Sequence, residues 1–449
     1  MYSEKYKYLR FTRFQDIVLW DIKQCLDKSI NSKYPIGELS NYLIEEGNKY
    51  DISSPKQEYG ILGVNNKEGI FDAYIEKGDK IKQKYKQMKT GWIAYNPYRI
   101  NVGSIGIKKA FHKHSFISPA YVVFRCTDIL KPEFLYLIMR TERFNSIIRK
   151  STTGSVRQIL SFHTLSKLQI PIPSIEEQEK LIAKFSDKMK VAENLELNAS
   201  QMECSIVDYL KNILGFIVRQ EKTIQNSKYQ NLRFINFSDV QEWGIEIIHK
   251  KHNKEIFRYP IMKIKSLCQL GSGGTPSRSC PQYFKGNIPW VKTGEVVNDE
   301  ILETEEHITE EAIVNSSAKL YPKGSLIIAM YGQGDTRGRT AKLGIDATTN
   351  QACAVLHDID NNIVSTDYLW YYLQGRYDDL RSLASGNNQP NLNAGKINNY
   401  DVVVPPMSVQ NEIVTYIREQ KALVKQLKQK AIFIREEALK EFETNIFSN

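Results

Sequence analysis

Three short stretches concentrate residue types that grip anions or read hydrogen-bonding edges. The first is Gln269-Leu270-Gly271-Ser272-Gly273-Gly274-Thr275-Pro276-Ser277-Arg278. Glycines such as Gly273 and Gly274 let a backbone approach a phosphate closely, and Ser272, Thr275, Ser277 and Arg278 supply donors. The GKS or GKT ending of a nucleotide-binding P-loop is missing, so nucleotide binding is not expected. The alternative is a plain tight connection. The second stretch, Tyr331-Gly332-Gln333-Gly334-Asp335-Thr336-Arg337-Gly338-Arg339, has glycines that do not fit GxGxxG. Tyr331, Gln333, Arg337 and Arg339 suit guanine or adenine edges or clamp phosphates, and they equally suit a solvated hairpin. The third is Asn387, Asn388 and Gln389, whose amides match base edges but are also ordinary turn residues. Its counterpart earlier in the chain is the loop carrying Arg157. Lys292, Tyr95, Asn96 and Arg99 complete the candidate nucleic-acid contacts.

Catalytic patterns are weaker. Asn96-Pro97-Tyr98 has one proline too few for the NPPY of amino-methyltransferases, and no glycine-rich SAM loop precedes it. His112-Lys113-His114 and His249-Lys250-Lys251-His252 lack a nearby Cys or paired carboxylate and read as solvated basic surface rather than a metal site. Glu76-Lys77-Gly78-Asp79-Lys80 reads as a charged turn. With no GxSxG, HExxH or acid–base pair, no catalytic residue and no metal site are expected.

Those stretches need a scaffold. At 449 residues and 51.8 kDa the chain favours two or three domains, and 41% hydrophobic residues suffice for real cores. Six cysteines without a CxxC indicate neither disulfides nor a zinc ribbon. The polar start and lack of any apolar run of about eighteen residues suggest a cytoplasmic protein. A formal charge of +10 and a pI near 9.0 favour a polyanionic partner.

The organising elements are two long amphipathic runs. From Pro173, Ser174 and Glu177 form a potential capping box. Ile182, Phe185, Met189, Ala192, Leu195, Ala199, Met202, Ile206, Tyr209, Ile213 and Phe216 then recur every three or four residues. About forty residues at 1.5 Å each make a rod of roughly 60 Å. After Pro405-Pro406, Val409, Ile413, Tyr416, Leu423, Leu427, Ala431, Ile434, Ala438 and Phe442 form its partner.

The chain is also internally repeated. Residues 5–22 align on 228–245 without gaps, with nine of eighteen positions identical. Thr153–Phe185 aligns on Ser385–Ile417, keeping Leu160/Leu392, Pro173/Pro405 and Gln178/Gln410. The fold class expected is mixed α/β (α+β), with two globular domains separated by two long antiparallel coiled-coil helices and related by a pseudo-two-fold repeat. The boundaries expected are 1–174, a helix over 175–225, 226–406, and a helix over 407–449. Within the domains, strands are expected at Gly91–Tyr95, Tyr121–Phe124, Leu168–Ile172, Ser325–Ala329, Ala352–Leu356 and Val402–Val404. Helices are expected at Pro132–Ile148 and about Thr366–Leu383.

The Leu232-Arg233-Phe234…Phe237…Trp243 junction, Gly271–Ser277, Tyr283-Phe284-Lys285-Gly286-Asn287-Ile288-Pro289-Trp290 and Pro405-Pro406…Gln410-Asn411-Glu412-Ile413 together resemble the DNA-specificity subunits of type I restriction–modification systems. The first half departs from the pattern, since no GSGGTPS equivalent precedes Gly60-Ile61-Leu62-Gly63-Val64. The resemblance implies two target-recognition domains, each reading half of a bipartite site in double-stranded DNA. It implies helices that dock two methyltransferase subunits, through faces including Leu181, Leu197, Val207 and Leu439. Restriction subunits would join in a full complex. The chain itself would be non-catalytic and bind no cofactor, with SAM and ATP on its partners. The rival readings are a protein-binding scaffold or adaptor, and the recognition subunit of a solitary methyltransferase.

Overall fold

The computed structural model describes residues 30–100, 103–151, 159–220, 253–332, 334–383 and 392–447. The N-terminal copy of the repeated segment (5–22) and its twin (228–245) lie outside them. The chain separates into two compact units, Met1–Glu196 with Lys428–Asn449, and Leu197–Leu427. The boundaries fall inside both long helices. Each helix therefore contributes one half to each unit rather than forming a separate spacer segment.

In the first unit a four-stranded sheet has the order Leu43–Glu45, Val122–Cys126, Ile93–Tyr95, Ile105–Ile107. A short antiparallel pair, Ile36–Glu38 with Gln169–Pro171, closes its base. Val123 packs on the other face with Leu62, Val64 and Ile117, while Phe124, Ile93 and Ile105 are fully or nearly fully buried and meet Phe134, Leu135 and Ile138. These come from the helix Pro132–Arg140, which starts with proline at its first turn. The single helix expected over 132–148 is two, because Thr141 leaves helical geometry and Glu142–Ser151 restarts. A second sheet, with order Lys49–Tyr50, Tyr85–Gln87, Phe116–Ile117, Glu58–Asn65, Gly69–Lys77, is particular to this unit. His112 Nε2 bonds Ile70 O at 2.9 Å and His114 Nδ1 bonds Ile61 O at 3.0 Å. Both imidazoles thus latch that sheet's hairpin, where the sequence suggested solvated surface. Gly78 is likewise structural, since a Cβ there would lie 2.0 Å from Ser54 O.

The second unit repeats the framework. Its five-stranded sheet runs Gln269–Ser272, Cys353–His357, Leu326–Ala329, Thr340–Leu343, Glu300–Ile301. The first four strands match the order of the first unit's sheet. The pair Ile261–Lys263 with Asp401–Val403 repeats the base. Thr366–Gly375 and Tyr377–Ser382 repeat the broken helix, with Ser365 capping through its hydroxyl and Arg376 at the break. The particular part here is a three-stranded sheet, Glu306–Ile308, Ile288–Val291, Thr348–Thr349.

The long helices run Ile175–Leu214 and Met407–Ile446. The first stops earlier than expected because Gly215 adopts φ +70, and Ile217–Gln220 then forms a strand with Asn253–Ile256. Its capping box is one-sided. Ser174 Oγ accepts from Glu177 N at 3.4 Å, while the Glu177 carboxylate turns to accept from Tyr34 OH at 3.0 Å. In the first unit the helices are antiparallel, with Ala192, Ala431 and Ala438 at 2% exposure or less and Phe442 edge-on to Phe134. Leu181, expected on a free face, is buried in the first unit's core. In the second unit Tyr209 stacks on Tyr416 at 3.9 Å. There Leu423, expected in the seam, is exposed, and Val424 is buried instead.

Lys184 and Lys188 bracket Glu441, with Lys188 Nζ 2.6 Å from its carboxylate and 3.3 Å from that of Glu437. Hydrogen bonds from the two lysines hold the Glu441 carboxyl down at about 2. A carboxyl depressed by folding contributes stability above its ordinary value near 4.5 and loses it as pH falls towards 2. Wild type should therefore melt above Glu441→Gln at neutral pH in low salt. The gap should narrow below pH 4.5 and close near pH 2. Because the cluster is partly exposed, salt should also narrow it. A gap independent of pH would rule the cluster out as its source.

Gln178 and Gln410 are both fully buried, an unusual place for an amide. Gln178 Nε2 donates to Pro173 O at 2.9 Å and Ile129 O at 3.0 Å, and its Oε1 accepts from Lys131 N at 2.8 Å. Gln410 Nε2 donates to Pro405 O at 2.8 Å and Ile363 O at 2.9 Å, and its Oε1 accepts from Ser365 N at 2.8 Å. Lys131 and Ser365 are the N-caps of the two equivalent domain helices. In both units one amide thus pins the start of a long helix to the start of a domain helix.

Candidate nucleic-acid interface

In the second unit, Gln269–Ser272 and Leu326–Ala329 both pair antiparallel with Cys353–His357. They are therefore parallel to each other, and the loops that follow them leave from the same end of the sheet. With one strand between them, their roots lie about 10 Å apart. Two stretches far apart in sequence, 273–278 and 331–339, thus belong to one rim. Leu392 joins it by donating from its amide to Met330 O at 3.2 Å.

The glycines of the first loop serve the protein's own packing. A Cβ on Gly271 would lie 2.2 Å from Tyr321 Oη, one on Gly273 2.2 Å from Thr349 O and Asn350 O, and one on Gly274 2.3 Å from Ala318 N. Trp290 Nε1 donates to Gly274 O at 3.0 Å, and Tyr321 OH to Ser272 O at 2.9 Å. Gly273 and Gly274 are buried, so their close backbone approach is to neighbouring segments rather than to an outside phosphate. Ser272, Thr275, Ser277 and Arg278 remain exposed on the rim. Thr275 Oγ1 there donates to Gln351 Oε1.

Arg278 is held on three sides. Its guanidinium lies 4.0 Å from the Phe284 ring centroid and 5.2 Å from that of Trp290, and Nη1 donates to Glu306 Oε2 at 2.7 Å. Glu306 is the cross-strand partner of Trp290, which explains why the carboxylate and the ring meet the same guanidinium. Lys292, two residues past Trp290, reaches Glu305 at 2.5 Å and Glu306 at 3.2 Å. Hydrogen bonding from Arg278, with Lys292 next, keeps the Glu306 carboxyl below the usual carboxylate range. Conversely, Glu305 and Glu306 raise Lys292. Glu306 was not among the residues singled out from sequence. No fixed spacing links positions 278, 290 and 306, and the only hint was a Glu-Glu pair opening a short strand.

The second loop is a hairpin between Leu326–Ala329 and Thr340–Leu343. Gly332, Gly334 and Gly338 take positive φ there. Arg381 Nη1 donates to Gly334 O at 2.9 Å and Tyr377 OH to Asp335 O at 2.6 Å, tying the hairpin to the domain helix. Tyr331 is exposed; Arg337 and Arg339 are half-buried, with Arg339 4.0 Å from Asp335. Gln333, Asn387, Asn388, Gln389 and Arg157 lie outside the described residues.

By strand order, the first unit's equivalent of this hairpin is the turn between Ile93–Tyr95 and Ile105–Ile107. Asn96 Oδ1 accepts from Tyr98 N at 3.0 Å, which shapes that turn and leaves Tyr98 and Arg99 exposed. Tyr95, expected among the nucleic-acid contacts, faces inward instead. It is fully buried, and its hydroxyl donates to Leu160 O at 3.1 Å, so it anchors the core and reaches no outside ligand. Leu160 N in turn donates to Pro97 O, repeating the role of Leu392 in the second unit. The structural counterpart of the glycine-rich loop follows Leu43–Glu45, where Glu46 takes Arg125 Nε at 2.9 Å.

The family model described as type I restriction modification DNA specificity domain matches residues 30–201 and 258–431. The chain is 25% identical over 189 residues to the type I restriction enzyme MjaIX specificity subunit of Methanocaldococcus jannaschii, covering 41% of this chain and 43% of that protein. It is 28% identical over 157 residues to the EcoR124I/EcoR124II specificity subunit of Escherichia coli, covering 33% and 38%. The chain thus spans about two fifths of the length of these curated relatives. In fold it is similar to a chain from a structural study of complex assembly and conformational transition of the type I R-M system. That likeness has a TM-score of 0.56 at 15% identity, over 93% of this chain and 97% of the other. With two matched copies spanning most of its length, each coinciding with one repeat of the framework, the chain belongs to the type I restriction modification DNA specificity domain family.

Proposed function

We propose that this chain is the sequence-specific DNA-recognition subunit of a type I restriction–modification complex, with each domain reading one half of a bipartite duplex site. The observation that carries the reading is one framework built twice with unlike contents. Strand order, broken domain helix and buried glutamine recur, while the rim loops and the accessory sheets differ. A common scaffold presenting two different loop sets is what independent reading of two half-sites requires. The net charge of +10 supplies the non-specific attraction to phosphate. In this reading the chain performs no chemistry. Methyltransferase subunits dock on exposed faces of the long helices, and SAM and, in a restriction complex, ATP are bound by the partners.

The test is binding of the full chain to duplex DNA across a salt series, then selection of preferred sites from a randomised pool with the methyltransferase present. Replacing residues 251–404 by the equivalent domain of a relative should change one half of the selected site and leave the other intact. Simultaneous change of both halves would overturn the two-reader model. Failure to bind DNA at low salt would favour a protein-binding scaffold.

A further inference from the structure

We infer that Arg278 and Glu306 act together as a reader of one G·C base pair, an assignment that rests on the DNA-recognition reading above. A G·C pair presents, across its major-groove edge, two acceptors on guanine (N7 and O6) and then a donor on cytosine (N4). A guanidinium beside a carboxylate presents the complement: two parallel N–H donors followed by an acceptor. An A·T pair presents acceptor, donor, acceptor, so the second guanidinium donor would face adenine N6–H and the carboxylate would face thymine O4. Two of three contacts would then be repulsive.

Arg278 Nη1 is joined to Glu306 at 2.7 Å, which sets donor and acceptor side by side. The guanidinium lies over Phe284 and Trp290, so its fork is oriented before any ligand arrives and less entropy is lost on binding. Trp290 is itself anchored through Gly274 O. Lys292 steadies Glu306 from its other oxygen at 3.2 Å, and each carboxylate oxygen keeps a further lone pair for a donor. The arginine side chain is 54% exposed and the glutamate 28%, so both can meet a ligand. The cluster Arg278, Lys292, Glu305, Glu306 carries no net charge. That suits edge recognition better than phosphate clamping, which calls for unbalanced positive charge.

Site selection from randomised duplex DNA with the full chain and its methyltransferase present, wild type against Arg278→Ala and Glu306→Gln, tests this. Wild type should fix one position as G·C. Each variant should lose roughly 10–100-fold discrimination at that position alone. Glu306→Gln keeps the side-chain shape, and an amide that can donate to thymine O4 removes one of the two clashes, so the preference against A·T should narrow there. Unchanged preferences in both variants would overturn the assignment. So would uniform weakening on all sequences in Arg278→Ala with a salt slope shallower by about one, the signature of a phosphate contact. In either case wild type would still select a site, and the recognition reading would survive. A wild-type pool without any consensus would instead bring down that reading, and the pair's role with it.

Discussion

Gln410→Leu is expected to destabilise the second unit by about 3–5 kcal/mol, near the upper end for a single substitution. Leucine matches the volume but leaves Ser365 N, Ile363 O and Pro405 O without their partner, each at a buried junction. An unsatisfied buried group costs about 1–3 kcal/mol, and partial access of water to a helix start moderates the sum. Gln178→Leu should act similarly on the first unit. Urea titration monitored by tryptophan fluorescence for the second unit and by hydrogen exchange for the first would read both. A loss under about 1 kcal/mol would mean that the amides only fill space.

Gly273→Val is expected to destabilise the second unit by at least about 3 kcal/mol with no DNA present. The new Cβ would start 2.2 Å from two backbone carbonyl oxygens, neither of which can swing aside like a side chain. The measurement separates two meanings of a glycine-rich loop. If the glycine exists to admit a phosphate, the variant should melt like wild type and lose only DNA affinity. If it exists for packing, the melting temperature should fall in plain buffer, and we expect the second result.

Much of the architecture was legible because it depends on periodicity. Both long helices, the strands at 93–95, 122–126, 326–329, 353–357 and 401–403, and the duplication follow from apolar spacing and aligned residues. The errors have local causes. Gly215 ended a helix whose apolar pattern ran on to Phe216, and Thr141 and Arg376 each broke a continuous periodic run into two helices. The hairpin 58–65 with 69–77 is not legible in the sequence because its glycines and charges mask the alternation, although Phe71 and His114 pack where Cβ atoms at Gly63 and Gly60 would lie.

What the sequence determined by itself is a doubled framework: elements whose 3.6- and 2-residue periods are written locally, a surplus of positive charge, and paired identities such as Gln178/Gln410. Only the tertiary structure decided which side chains share a rim. Two antiparallel pairings with one strand bring residues 273–278 and 331–339 to the same end of the sheet. The pairing of Trp290 with Glu306 sets a carboxylate beside Arg278. The fold also turned Tyr95 inward and gave Gly273 and Gly274 a packing role. The physical reason is that a hydrogen bond, a ring contact or a backbone approach depends on distance through space, and strand pairing makes neighbours of residues that no local period connects.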